Sequence, residues 1–126
     1  MAVMEWILIL IVLGLVAGSV AFTKLGSISP AAARDYLRQG AKVIDVRSAG
    51  EYQSQHLPNA IHIPLGELEQ RISGHAPNKD EVLLLHCLSG GRSGMGRRIL
   101  KRMGYARVYN LGSFARARKI VQGSDS

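Results

Sequence analysis

Residues 82–86 read Val-Leu-Leu-Leu-His, the most continuously apolar of several short strand-like runs in the chain. A strand of that composition needs cover on both faces, which places it in the middle of a sheet. Runs at 42–46 (KVIDV), 60–63 (AIHI) and 108–111 (VYNL) supply candidate neighbours. Segments with helical spacing lie between them. Ser29-Pro30 ahead of AAARDYLRQG provides an N-cap, a proline at the first helical position and Gly40 as a stop. Residues 65–72 (LGELEQRI) have helical spacing, residues 92–103 place Met95, Ile99 and Met103 at i, i+4 and i+8, and residues 114–121 form a closing helix. Strands alternating with helices predict an α/β layered fold with a largely parallel central sheet flanked by helices.

In an open α/β sheet the site lies beyond the carboxyl ends of the strands. After the 82–86 strand comes Cys87-Leu88-Ser89-Gly90-Gly91-Arg92-Ser93. Gly90 and Gly91 permit backbone conformations closed to other residues, so successive N–H groups can turn toward one point, the sulfur of Cys87. A helix starting near Arg92 adds the positive end of its dipole, and the guanidinium adds a full charge. The expectation is a thiol that ionises more readily than a free cysteine, beside a cradle for the oxygens of an anion. Cys87 is thus the candidate nucleophile, and Leu88, Ser89, Gly90, Gly91, Arg92 and Ser93 the candidate substrate-binding set; the competing reading is an inert cysteine buried at a strand end. Cys87 is the only cysteine, so a thiol acceptor has to come from another molecule. Four histidines and one cysteine lack the spacing of a zinc site, and no metal or cofactor is expected.

The N-terminus is of another character. Residues 6–22, WILILIVLGLVAGSVAF, carry no charge, and as a helix they span about 25 Å against a hydrocarbon core of about 30 Å. Extension back to Ala2 reaches across, with Glu5 and Trp6 at the interface. Ser19-Val20-Ala21 also fits a signal-peptide cleavage site, although residues 1–5 contain no Lys or Arg. A buried core helix is the third reading. The expected organisation is a transmembrane anchor with a short linker over 1–26 and a domain over 27–126. Lys24, Arg34, Arg38 and Lys42 follow the span, so the positive-inside rule places that domain on the cytoplasmic side.

Four pieces of the chain together resemble the rhodanese family: Val43-Ile44-Asp45-Val46-Arg47 with Glu51-Tyr52, then His56-Leu57-Pro58-Asn59-Ala60-Ile61-His62-Ile63-Pro64, then residues 87–93, then Gly104-Tyr105 with Val108-Tyr109-Asn110-Leu111. The resemblance implies a rhodanese-like fold and a Cys87 persulfide, formed by taking sulfane sulfur from thiosulfate or a persulfide donor and passed to cyanide or a thiol. The C-x4-R spacing from Cys87 to Arg92 is similar to the six-residue loop of the sulfurtransferase members; the related dual-specificity cell-cycle phosphatases carry one residue more. Asp45 and Arg47 match the family's D-x-R and are expected to support the site or form a plain ion pair. His56 and His62 read as turn or packing residues. His86 should alternate to the sheet face opposite Cys87. Leu88 stands where many members have a polar or basic residue, and Gly112-Ser113 replaces the usual Gly-Gly.

Lys and Arg outnumber Asp and Glu by 16 to 9. Arg97, Arg98, Lys101 and Arg102 on one helix, and Arg116, Arg118 and Lys119 on the last, read as solvated faces, with anionic lipid headgroups as the alternative partner. No recognition motif or aromatic series accompanies them, so nucleic acid is not an expected partner. The expected activity is that of a membrane-anchored sulfurtransferase using a small sulfur-containing anion or persulfide donor. The alternative is a membrane-tethered binding or sulfur-relay module without robust turnover.

Overall fold

The computed structural model describes residues 2–123, with the side chains of residues 18–25 outside that description. A first helix, α1 (Ala2–Leu25), carries Glu5 in its first turn. Its large apolar side chains at positions 3–16 are 49–70% exposed. Among the described residues, no helix is long and apolar enough to cross a membrane. The transmembrane span expected at 6–22 is therefore not borne out there, and its positions 18–22 lie outside the described side chains. Residues 124–126 of the expected domain are also outside the description.

The α/β unit follows in the order α2 (Pro30–Arg38), β1 (Lys42–Asp45), α3 (Ala49–Ser54), β2 (Ile61–His62), a 3-10 turn (Leu65–Glu67) running into α4 (Leu68–His75), β3 (Leu83–His86), α5 (Gly91–Arg102), β4 (Val108–Gly112) and α6 (Phe114–Gln122). The four strands lie in the order β2-β1-β3-β4, and every pair is parallel. The apolar 82–86 run thus supplies a central strand, as its composition requires. Local signals set the helix limits. Ser29 caps α2 by accepting from the Ala32 N–H, with Pro30 at the first turn. Ser113 caps α6 by accepting from the Arg116 N–H.

Alternation along the strands separates two cores. Ile44, Leu83 and Leu85 face α4 and α5, where Leu68, Ile72 and Leu100 complete the layer. Val43 and Leu84 face α2 and α6, against Ala33, Ala117 and Ile120. Each fully buried Leu or Ile contributes roughly 1.5–3 kcal/mol of transfer free energy. Of the stripe that the spacing of α5 suggests, Met95 is exposed while Met103 packs against the core, and Ser93, Gly96 and Leu100 are the buried residues of the helix. Gly96 sets that phase because its missing side chain lets the helix approach the sheet. A Cβ there would lie 2.9 Å from Leu85 Cδ2 and 3.2 Å from Leu68 Cδ2.

Candidate active site

Cys87 follows β3 directly and is fully buried, with its side chain on the α4/α5 face. Its N–H donates to Gly112 O at 3.2 Å, and the Phe114 N–H donates to Leu88 O at 3.3 Å, so the loop is tied at its start to the end of β4. Gly90 then takes φ +101°, in the left-handed region that favours glycine. That turn aims its N–H at Cys87 Sγ, 3.0 Å away. The Ser93 hydroxyl lies 3.4 Å from the same sulfur.

Burial pushes the Cys87 thiol up, but hydrogen bonds outweigh it, and the thiol sits below its ordinary value. The contributors are the Ser93 hydroxyl first, then the backbone N–H groups of Ser93, Gly90 and Ser89. The expected donor cradle is present. The expected guanidinium at the sulfur is not its mainstay, because Arg92 turns to α3 and forms a bidentate pair with Glu51, Nη1 to Oε1 at 2.7 Å and Nη2 to Oε2 at 2.9 Å. Fork-to-fork pairing of this kind suits the planar guanidinium, and Arg92 also interacts with Cys87 through charge. The Glu51 carboxyl is held down to about 2, first by the Arg92 hydrogen bonds and then by Ser48. Of the remaining loop residues, Leu88, Ser89 and Gly91 are exposed and Gly90 is half-buried.

Asp45 and Arg47 form a buried ion pair on the other face of the sheet. Arg47 Nη2 lies 2.7 Å from Asp45 Oδ2, Nε bridges both carboxylate oxygens, and the Arg47 N–H adds a further bond. Arg47 also donates to Gln55 O at 2.6 Å and stacks over Phe114. Hydrogen bonding to Arg47 holds the Asp45 carboxyl below its ordinary value against the opposing effect of burial. His86 shares this face, 3.7 Å from Asp45 Oδ2, and burial pushes its basicity down. His56 and His62 stack on either side of Tyr52, at 4.0 and 4.3 Å between ring centroids. These groups brace the scaffold, and the geometry brings neither Asp45 nor Arg47 to the sulfur.

In the sequence two participants read only as parts of the motifs and not as members of the site. Glu51 belongs to α3, which the strand and helix periodicities do not announce; a second local signal for it is the Ser48-x-x-Glu51 capping box, and that box is formed. Asn110 lies on β4, and its side chain spans the loop. Oδ1 accepts from Ser93 Oγ at 2.7 Å and from the Gly112 N–H at 2.8 Å, while Nδ2 donates to Gly90 O at 3.1 Å. A cavity of about 210 Å³ opens at the other end of the sheet, lined by residues that include Tyr36, Glu81 and Arg107; it contains no cysteine. Among the described residues, no group of three or more His, Cys, Asp or Glu side chains is placed to hold a metal ion.

Comparison with known proteins agrees with this geometry. The chain is similar to thiosulfate sulfurtransferase PspE of Escherichia coli, 42% identical over 69 residues that cover 55% of this chain and 66% of that one, so the match spans just under two thirds of the relative's length. It is 29% identical over 89 residues to thiosulfate sulfurtransferase GlpE of Pseudomonas savastanoi, covering 71% of this chain and 82% of that one. A solved structure of a rhodanese with anions from E. coli superposes with a TM-score of 0.60 at 38% identity, covering 61% of this chain and 91% of the other. The rhodanese-like domain model matches residues 29–116, which include every loop residue described above, and the chain belongs to that family.

Proposed function

We propose that the chain is a sulfurtransferase in which Cys87 carries sulfane sulfur as a persulfide. The observation that carries this reading is the convergence of loop donors on the buried Cys87 sulfur, the Gly90 N–H at 3.0 Å and the Ser93 hydroxyl at 3.4 Å, which hold the thiol below its ordinary value. A thiolate attacking a sulfane sulfur needs no general base. With thiosulfate as donor, Cys87 Sγ bonds to the outer sulfur, the S–S bond of thiosulfate breaks, and sulfite leaves with the electron pair. Cyanide or a thiolate from another molecule then attacks the outer sulfur of the persulfide, and Cys87 departs as thiolate. The loop N–H groups suit the anionic donor, and the E. coli rhodanese was solved with anions.

Because Cys87 is fully covered, a donor reaches it only when the loop or the side chains above it shift. That burial favours the second reading, a binding or sulfur-relay module with little turnover. We read α1 as the membrane-contacting segment that presents the domain, on the cytoplasmic side, to membrane-proximal donors or acceptors. Its uncharged stretch at 6–22 and the outward apolar side chains at 3–16 support this.

Intact-mass spectrometry of the full chain in detergent tests the reaction. Thiosulfate should add one sulfur atom, cyanide should remove it, and Cys87→Ser should abolish the gain. No gain with thiosulfate or a persulfide donor moves the assignment to the binding module. Flotation of the full chain with lipid vesicles tests the membrane contact, and a chain that stays in the dense fraction refutes it.

A further inference from the structure

The Ser93 hydroxyl has one proton and three acceptors within reach: Asn110 Oδ1 at 2.7 Å, Gly90 O at 3.2 Å and Cys87 Sγ at 3.4 Å. Which end of the Asn110 amide faces Ser93 is decided by its other contacts. The Gly112 N–H at 2.8 Å requires an acceptor there, and Gly90 O at 3.1 Å requires a donor at the opposite end. The atom beside Ser93 is therefore a carbonyl oxygen that cannot donate, and at 2.7 Å the serine proton must point to it. In this arrangement Ser93 offers Cys87 only a lone pair. Ser93 and Cys87 are both fully buried, so no solvent proton substitutes.

A bare thiolate demands the opposite orientation, because hydrogen bonds to a charged acceptor are the stronger ones. We propose that Asn110 is a positioning residue that competes with Cys87 for the single Ser93 proton, taking it while Cys87 bears a proton or a sulfur and yielding it when Cys87 is a thiolate. In the persulfide the negative charge moves to the outer sulfur, and Sγ no longer needs the donor. The hydroxyl then swings back to Asn110 Oδ1, which keeps its Gly112 bond throughout. The proton stays covalently on Ser93 in both orientations. Each half-reaction thus reverses one O–H rotor, and Asn110 sets how strongly the bare thiolate is held. The inference depends on the reading of Cys87 as sulfur carrier for its place in a cycle, but its test reads thiol ionisation and not transfer.

Cys87 is the only cysteine, so thiolate ultraviolet absorbance of the full chain in detergent, with Cys87→Ser subtracted, follows this one group through a pH titration. Ser93→Ala should reduce the thiolate fraction below the midpoint about tenfold, the effect of losing one hydrogen bond to a charged group. Asn110→Ala should raise it about threefold by releasing the hydroxyl to the sulfur. In the Ser93→Ala background Asn110→Ala should change nothing. A fall in thiolate fraction on Asn110→Ala, or an equal rise with and without Ser93, overturns the proposal.

Should Asn110→Ala not fold, nitrogen-15 spectra of the parent chain give a second reading. The Asn110 side-chain amide should shift as Cys87 titrates and stop shifting in Ser93→Ala; a shift that survives Ser93→Ala reports through-space charge alone and overturns the rotor. If persulfide formation fails while these results hold, the fault lies with the sulfurtransferase reading and not with the rotor.

Discussion

Replacing Glu51 with Gln separates the clamp on Arg92 from everything else Glu51 does. Gln retains an acceptor for the Ser48 N–H and hydroxyl, which Glu51 Oε1 engages at 3.1 and 2.9 Å, so the cap of α3 survives. The charge is lost, and so is the acceptor that Oε2 presents to Arg92 Nη2, because the amide nitrogen of Gln can only donate. Depression of the carboxyl from its ordinary range to about 2 corresponds at face value to about 3 kcal/mol. The side chains of Arg92 and Glu51 are 38% and 27% exposed, and solvent screening reduces the net contribution to about 1 kcal/mol. For a domain of about 100 residues that is a fall in Tm of about 4–8 °C at neutral pH. The pH dependence has a defined sign. A carboxyl depressed in the folded state stabilises fully above its unfolded value of about 4.3. The stabilisation is lost as pH falls toward about 2, the folded value. Urea unfolding of parent and Glu51→Gln should therefore diverge at pH 7 and converge near pH 2.5. The freed guanidinium should also lower the Cys87 midpoint. Equal stabilities at pH 7, or a difference that persists unchanged at the acid end, would refute the claim that Glu51 holds Arg92 as an ion pair.

Asp45→Asn leaves the Arg47 guanidinium, 4% exposed, without its counter-charge, and should lower stability by about 3–5 kcal/mol in denaturant unfolding; since the pair lies on the face opposite Cys87, the thiol midpoint should stay put. Gly96→Ala should destabilise by about 1–3 kcal/mol through contact with Leu85 and Leu68, less about 1 kcal/mol of gained helix propensity. A higher Tm for Gly96→Ala would show that the Leu85 and Leu68 methyls give way freely.

Some of this architecture could be read directly from residue pattern. Val43-Ile44-Asp45, Leu83 to His86 and Val108 to Leu111 announce strands because their side chains must fill both faces of a covered parallel sheet, and Ser29-Pro30 announces a helix start because its chemistry is local. The contact of Cys87 with Gly90 was legible for the same reason: a thiol and a left-handed turn lie three residues apart. The misreadings are tertiary. Met95 drew attention as an apolar residue at helical spacing, while the contact that orients α5 belongs to Gly96, which has no side chain to register in a hydrophobic pattern. Arg92 was expected to lend its charge to the thiol, and it does interact with Cys87 through charge, but its hydrogen bonds go to Glu51, 41 positions earlier, which offers a bidentate partner. Asn110 carries no chemistry of its own in a linear reading; it matters because β4 lies beside β3 and carries its amide across to Ser93.

The placement of Cys87 at the end of β3 has a consequence for how the protein fluctuates. β3 is paired on both sides, to β1 and β4, and all its residues are buried, so its amides should exchange with solvent only when the whole domain unfolds. The part-exposed Glu51–Arg92 pair ties α3 to α5 beside the loop and can open at far lower free energy. The floor beneath Cys87 and the rim beside it thus belong to different cooperative units: the rim can loosen many times for each event that disturbs the floor.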